Sequence, residues 1–265
     1  MPELPEVETE RERLAARIEG RRIRAARIHD ERLTRPEEPT WIAARLEGER
    51  VTAVERRGKY LLVRLESGAV LLIHLRMTGG FRYEPATHER AELELDDGTR
   101  IAYRDLRRFG TWLLFDPDEA EKHLAIRLGP EPLGSRFTNE FLAGRLAGRR
   151  APVKAAVLDQ RTVAGLGNIY SDEALWHARI HPLRPAGELA ANEVAALRRG
   201  IRTALRRGIR RQGADLGNGA YAGGRMQHEF RVYGRAGEPC DRCGTPIEKT
   251  RAGGRGTWYC PGCQR

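Results

Sequence analysis

The 265-residue chain contains four cysteines, Cys240, Cys243, Cys260 and Cys263, which fall as two Cys-x2-Cys pairs with sixteen residues between them. Each pair can close a knuckle that points two thiolates at one tetrahedral Zn2+, and four sulfur ligands leave no open position, so the expected metal is structural, one per chain. In a reducing compartment disulfides are the poorer reading. Zinc would fold a small hairpin, residues 247–259, that could not bury a core by itself. The other end of the chain offers different chemistry. It begins Met1-Pro2-Glu3-Leu4-Pro5-Glu6-Val7-Glu8. If Met1 is removed, Pro2 exposes a secondary amine whose lone pair can attack a sugar or carbonyl carbon and leave an iminium ion, with the Glu3 carboxylate beside it. An α-amino group titrates at about 7.7–8.0, so part of such an amine is unprotonated near neutral pH. The same residues also read as an ordinary helix start, with Pro5 in the first turn and acids complementing the dipole.

The elements that must hold these groups change period along the chain. Residues 5–18 have helical spacing, with Val7, Leu14, Ala15 and Ile18 on one side and Gly20 as a stop. From Ile23 the period is two, and strands are expected at 22–29, 51–57, 60–66, 69–76, 91–95, 100–103 and 111–115, with turns at Ser67-Gly68 and Asp97-Gly98. Many short strands joined by hairpins predict an antiparallel sandwich or barrel. The segment Gly129-Pro130-Glu131-Pro132-Leu133-Gly134 breaks both periods and marks a boundary. Helices are expected at 139–147, 153–160, 169–178 and 190–211, the last with Val194, Leu197, Ile201, Leu205 and Ile209 as a core stripe. A glycine-rich stretch, 213–224, follows without any period.

Lysine and arginine total 47 against 37 acids, a net charge of +10. Residues 1–139 carry 25 basic and 26 acidic groups, whereas residues 140–265 carry 22 and 11, so the whole excess lies in the second half. A block of that kind makes a phosphate backbone the expected partner. An arginine-rich composition with solvated helix faces accounts for part of it. No apolar run reaches membrane-spanning length and the N-terminus is acidic rather than signal-like, so a soluble cytoplasmic protein with no membrane partner is expected.

Five motifs in order, MPELPEVET, Arg57-Gly58-Lys59-Tyr60-Leu61-Leu62, Asp105-Leu106-Arg107-Arg108-Phe109-Gly110, Gly165-Leu166-Gly167-Asn168-Ile169-Tyr170 and Val232-Tyr233-Gly234-Arg235 before the cysteines, resemble the formamidopyrimidine-DNA glycosylases from the first residue to the last. The resemblance implies an α+β multi-domain protein. It would have an N-terminal antiparallel β-sandwich with an N-terminal helix (1–130), a helical helix-two-turns-helix domain (135–222) and a C-terminal zinc ribbon (229–265). It further implies a monomeric repair enzyme acting on damaged double-stranded DNA, needing no cofactor besides zinc, with its active site in the cleft between the lobes. Such an enzyme flips an oxidised purine out of the duplex, cleaves its glycosidic bond and nicks the strand by β,δ-elimination.

Carried over residue by residue, the resemblance makes Pro2 the nucleophile and Glu3 the acid/base on the sugar. Lys59 becomes the proton donor in β-elimination, although by itself a lysine between two strands reads as a solvated turn residue. Arg255 matches the arginine at the hairpin tip that grips phosphates and assists δ-elimination; charge stabilisation of the leaving phosphate is the easier role for a guanidinium. Met77, Arg107 and Phe109 match the residues that fill the void left by the flipped base. His88, Arg107, Arg149, Lys154 and Asn168 match DNA-contacting positions. Without the family, Met77 and Phe109 read as core and Arg107 as a surface charge.

Two departures stand out. Arg76 occupies a place where the family more often has glycine, and the 213–224 stretch is short and lacks the family's threonines. The charge at Arg76 is expected to alter the intercalation loop or add a phosphate contact, and the shortened stretch to leave formamidopyrimidine and 8-oxoguanine excision in place with reduced discrimination among bases. The rival readings are an endonuclease VIII-like enzyme preferring oxidised pyrimidines, a non-catalytic zinc-ribbon DNA-binding protein, and a single-strand nucleic-acid binder.

Overall fold

The computed structural model describes residues 1–217 and 223–265. The chain divides into two compact units, Met1–Ile126 with Asp215–Gly224, and Arg127–Ala214 with Arg225–Arg265. The zinc-ribbon segment falls in the second unit, where Val232, Cys240, Ile247 and Cys260 pack around Trp176.

The first unit opens with α1 (Leu4–Ile18), which starts as soon as Glu3 can cap it: the Glu3 N–H donates to Glu6 Oε2 at 2.8 Å, and Pro5 occupies the first turn where its missing N–H costs nothing. Eight strands follow: β1 (Ile23–Ile28), β2 (Val51–Arg57), β3 (Tyr60–Leu65), β4 (Val70–His74), β5 (Gly79–Arg82), β6 (Glu89–Leu95), β7 (Arg100–Asp105) and β8 (Thr111–Phe115). They pair antiparallel as two four-stranded sheets, β1-β6-β7-β5 and β2-β3-β4-β8. Alternate residues of both sheets share one core with Val7, Leu14 and Ile18 of α1, as an antiparallel sandwich requires.

Three elements of this unit lack a legible period. β5 is Gly-Gly-Phe-Arg, too short and too glycine-rich to alternate. Its first glycine is needed because a Cβ there would lie 2.1 Å from Tyr103 Oη. The helices α2 (Pro39–Leu46) and α3 (Pro117–Ala125) bury only two residues each.

The second unit holds α4 (Asn139–Leu146), α5 (Val153–Leu158), α6 (Asn168–Ala178), α7 (Ala191–Arg210) and the hairpin β9 (Glu248–Ala252) and β10 (Arg255–Tyr259). Four of the five stripe residues of α7 are buried, and Ile209 is half-buried at its last turn. α7 crosses α6 closely at Gly200, where a Cβ would meet Ala174 O at 2.4 Å. Eight residues of α6 are buried, charged ones included. Among these, Glu173 accepts the backbone N–H groups of Arg231, Val232 and Tyr233 at 2.9–3.0 Å, which ties the zinc-ribbon segment to this helix. The glycine-rich stretch after α7 has a closed base: Arg225 N–H donates to Arg211 O and Met226 N–H to Gly213 O, each at 2.9 Å. Its middle, 218–222, lies outside the described residues. No helix among the described residues is long and apolar enough to cross a membrane.

Candidate functional site

In the first unit Pro2 and Glu3 are both buried at the start of α1. The charges that reach the chain's amino group, carried here by Met1, are those of Glu3, Glu6, Lys59 and Arg107. Burial lowers its pKa below the ordinary value, Lys59 and Arg107 lower it further, and the two carboxylates oppose them. An amine so placed sheds its proton more readily, which is what a nucleophile needs. Lys59 follows Gly58 in a two-residue hairpin between β2 and β3, with Gly58 at φ +59° as the first position of such a turn requires. It is only 4% exposed, so the solvated-turn reading of this lysine does not hold.

The expected void-filling residues occupy two neighbouring loops of the same unit. Arg76 is exposed with a left-handed backbone (φ +52°), and Met77 beside it is half-buried. The Arg76 N–H donates to His74 Nδ1 at 3.0 Å. Burial, reinforced by Arg76 and Lys59, pushes His74 down to about 3, so the ring stays neutral and keeps that acceptor. The second loop winds around the carboxylate of Asp105, which is 1% exposed. It accepts the N–H groups of Arg107 (3.2 Å), Phe109 (2.9 Å) and Gly110 (2.7 Å) and the hydroxyl of Thr78, whose Oγ1 also accepts from Arg107 N–H at 3.0 Å. So held, Arg107 is exposed and Phe109 is 50% exposed, with the Arg107 guanidinium carbon 4.8 Å from the ring centroid. Phe109 is not a core residue. His88 is exposed at φ +63° and lends its carbonyl to Asp105 N–H at 3.1 Å. Sequence reasoning missed Asp105, Thr78 and His74; an Asp followed at short range by several loop amides is the one signal that could have found Asp105.

In the second unit the turn between α5 and α6 uses Gly165 at φ +83° and Gly167 as the extended N-cap of α6. Lys154 corrects the sequence reading. It is fully buried, with Nζ 2.8 Å from Asp172 Oδ1 and 2.9 Å from both Gly256 O and Thr257 Oγ1, so its charge is committed inside the fold and not presented to phosphate. Asp172 also accepts from Trp258 N–H at 3.1 Å, and burial pushes it up to about 7 despite Lys154. Asn168 Nδ2 donates to the same Gly256 carbonyl at 3.1 Å. Arg149 is half-buried, with Asp159 at 3.6 Å.

Gly256 follows Arg255, so these anchors seat the hairpin at its tip. Ala252 pairs with Arg255 across Gly253 and Gly254, both at positive φ (+55° and +76°) as a type I′ turn requires, and Arg255 is exposed beside them. The four cysteine sulfurs lie within 4.8 Å of one another, with Cys240 to Cys263 at 3.8 Å and Cys243 to Cys260 at 3.4 Å. Zn–S bonds of about 2.3 Å in a tetrahedron place sulfurs roughly 3.8 Å apart, so the set fits Zn2+. Trp176 Nε1–H points at Cys240 Sγ (3.3 Å) and Arg242 Nη1–H at Cys263 Sγ (3.6 Å), while the Arg242 guanidinium stacks 3.9 Å over the Trp176 ring. Both donors offset the charge that four thiolates bring to one dication.

A sandwich that desolvates its own amino terminus, carried on the same chain as a zinc-held arginine hairpin seated on a helix-turn-helix pair, defines a class: the DNA glycosylases of helix-two-turns-helix and zinc-finger build. Family models match in chain order, the formamidopyrimidine-DNA glycosylase N-terminal domain at residues 1–112, the formamidopyrimidine-DNA glycosylase H2TH domain at 128–218, and a zinc finger found in FPG and IleRS at 237–265. The chain belongs to the formamidopyrimidine-DNA glycosylase family. It is 45% identical to the formamidopyrimidine-DNA glycosylase of a Roseiflexus species over the whole of both chains, and 47% identical to that of Symbiobacterium thermophilum, covering 100% of this chain and 89% of the relative. Among solved structures it resembles the MutM (Fpg) protein of Thermus thermophilus, with TM-score 0.90, 43% identity, and 99% and 98% of the two chains covered. It also resembles a Lactococcus lactis Fpg mutant in complex with Fapy-dG containing DNA, with TM-score 0.93, 35% identity and full coverage of both.

Proposed function

We propose that this enzyme, a bifunctional base-excision glycosylase and abasic-site lyase, removes formamidopyrimidines and 8-oxoguanine from duplex DNA through an iminium on Pro2. The observation that carries this reading is the setting of the amino terminus: Pro2 and Glu3 are buried at the start of α1, and the charges of Lys59, Arg107, Glu3 and Glu6 reach the amine beside them. With Met1 removed, the Pro2 lone pair forms a bond to C1′ as the glycosidic bond breaks, the base leaves with its electron pair and a proton, and the Pro2 nitrogen gives up its own proton. The C1′–O4′ bond then breaks, O4′ takes a proton, and the nitrogen is left as an iminium. The iminium withdraws electrons, a C2′ proton is lost, and the 3′ phosphate departs; a second elimination releases the 5′ phosphate, and water hydrolyses the iminium to free Pro2. Glu3 serves the sugar as acid/base, Lys59 donates a proton during β-elimination, and Arg255 stabilises charge on the leaving phosphate. Met77, Arg107 and Phe109 fill the vacated stack, Arg107 pairing with the orphaned cytosine. His88, Arg149 and Asn168 contact the backbone. The zinc supplies no chemistry to the reaction; it holds the Arg255 hairpin folded. The enzyme works as a monomer in the bacterial cytoplasm, along nucleoid DNA.

Borohydride trapping on a duplex with 8-oxoguanine opposite cytosine tests the route. A covalent adduct is expected, and it disappears in Pro2→Gly or when Met1 is retained. No adduct from protein with a verified free Pro2 refutes the iminium. A competition assay showing strong preference for oxidised pyrimidines would move the enzyme toward the endonuclease VIII-like reading.

A further inference from the structure

Arg108 is the member of the Arg107-Arg108-Phe109 run to which no role has been given. Its backbone is left-handed at φ +58°, a conformation that a long side chain adopts only with compensation. The compensation is visible at its guanidinium, which forks onto Asp30 with Nε–H donating to Oδ2 at 2.6 Å and Nη2–H to Oδ1 at 2.8 Å. Asp30 precedes Arg108 by 78 residues, follows β1, and is 4% exposed, whereas the Arg108 side chain is 39% exposed. The same carboxylate is itself fixed, since Oδ1 accepts Arg32 N–H at 3.0 Å. Arg90 joins the two halves of the network: its Nε lies 3.8 Å from Asp30 Oδ2 and donates to the Asp105 carbonyl at 2.9 Å. The loop that carries Arg107 and Phe109 is therefore gripped twice, through its amides by the Asp105 carboxylate and through the Arg108 side chain by Asp30. A bidentate fork fixes direction as well as distance, which a single hydrogen bond does not.

We propose that Asp30 is a positioning residue for the void-filling loop: by holding Arg108 it fixes the left-handed turn that keeps Arg107 and Phe109 exposed and stacked before DNA arrives. The inference rests on the void-filling reading of Arg107 and Phe109 given above. With Asp30 in place the wedge enters the duplex already ordered, and little conformational freedom is lost on insertion. Without it Arg108 has no partner for its strained turn, and the loop has to be ordered by the DNA.

The test is D30N in the full-length, zinc-loaded enzyme. It is assayed on 8-oxoguanine duplexes opposite cytosine or adenine, and on a single-stranded abasic oligonucleotide that has no orphaned base to meet. D30N is expected to lose about tenfold in kcat/KM on the cytosine duplex, chiefly through KM, in line with loss of one charge-assisted fork. Its cytosine-over-adenine preference shrinks in the same measure, and nicking of the single-stranded abasic site stays at the wild-type rate. The D30N/R108Q double variant is no worse than D30N alone, because both changes break one interaction. If D30N does not fold, R108Q, made on the exposed partner, carries the same expectations. Wild-type KM and wild-type base preference in the variant, or additive losses in the double variant, overturn the proposal. A wild-type enzyme that does not distinguish cytosine from adenine instead removes the void-filling reading beneath it, so the two failures are told apart by the parent protein.

Discussion

Replacing Lys154 by methionine keeps the volume of a fully buried side chain while removing its charge and its contacts to Asp172, Gly256 and Thr257. The size of the effect depends on pH in a direction set by Asp172, which burial pushes up to about 7 in the folded protein. An unfolded aspartate titrates at about 3.9, so between there and pH 7 the folded state holds a proton that the unfolded state has lost, and the Asp172 contribution to stability falls with rising pH in both proteins. In the wild type this fall ends near pH 7, where Asp172 ionises against Lys154. In the variant no cation is left, the carboxyl stays protonated, and that contribution goes on falling by about 1.4 kcal/mol per pH unit. Below pH 7 the variant lacks only hydrogen bonds, worth roughly 2 kcal/mol together; at pH 8 the gap reaches about 3–4 kcal/mol, the range of a broken buried pair. Urea unfolding of the two zinc-loaded proteins at pH 6 and pH 8, followed by tryptophan fluorescence, measures both gaps. Equal gaps at the two pH values, or gaps under about 1 kcal/mol at both, refute the reasoning.

Trp176→Phe removes the N–H aimed at Cys240 Sγ, and zinc transfer to a chromogenic chelator is expected to speed up by about 10–100-fold, the usual effect of losing a ligand's outer partner; an unchanged rate counts against it. Gly253→Ala places a Cβ at φ +55° and 2.8 Å from Ala155 Cβ, so it should cost about 1–2 kcal/mol in chemical denaturation and slow strand cleavage. A neutral effect on both would mean that the hairpin tip is not seated as described. His74, held down at about 3, gains no proton in the folded state on mild acidification while the unfolded chain does so below about 6.5. It therefore removes stability as pH falls from 6.5 toward 4, and His74→Gln should lessen that acid sensitivity; NMR of the wild-type ring showing a midpoint near 6.5 would refute the burial argument.

Legibility in the sequence followed the physical origin of each feature. The strands of the sandwich, the stripe of α7 and the four zinc ligands could be read because period and spacing encode them locally. β5 could not, since Gly79 is there to make room for Tyr103 Oη, a requirement written 24 residues away. Lys154 shows a different failure: its type and its match to the family both pointed at phosphate, but which way a lysine turns is decided by Asp172 and the β10 backbone. Asp30 was invisible for the same reason, as its partner lies two sheets' worth of chain later. Conversely, Phe109 and Lys59 are placed against their residue types, one exposed and one buried, and such contradictions of ordinary burial are where function is to be sought.

The two hydrogen bonds that close the base of the glycine-rich stretch, Arg225 to Arg211 and Met226 to Gly213, make that stretch a module in the engineering sense. Its ends are fastened to each other at the last turn of α7, and Glu173 clamps the amides at 231–233 just beyond, so the chain on either side of it is held by bonds that do not involve the stretch's own middle. Doubling such a loop changes its closure free energy by only about 0.6 kcal/mol. Segments of other lengths could therefore be grafted between Gly213 and Arg225 and compared for lesion choice on an otherwise identical enzyme, with the zinc ribbon left undisturbed as the internal control.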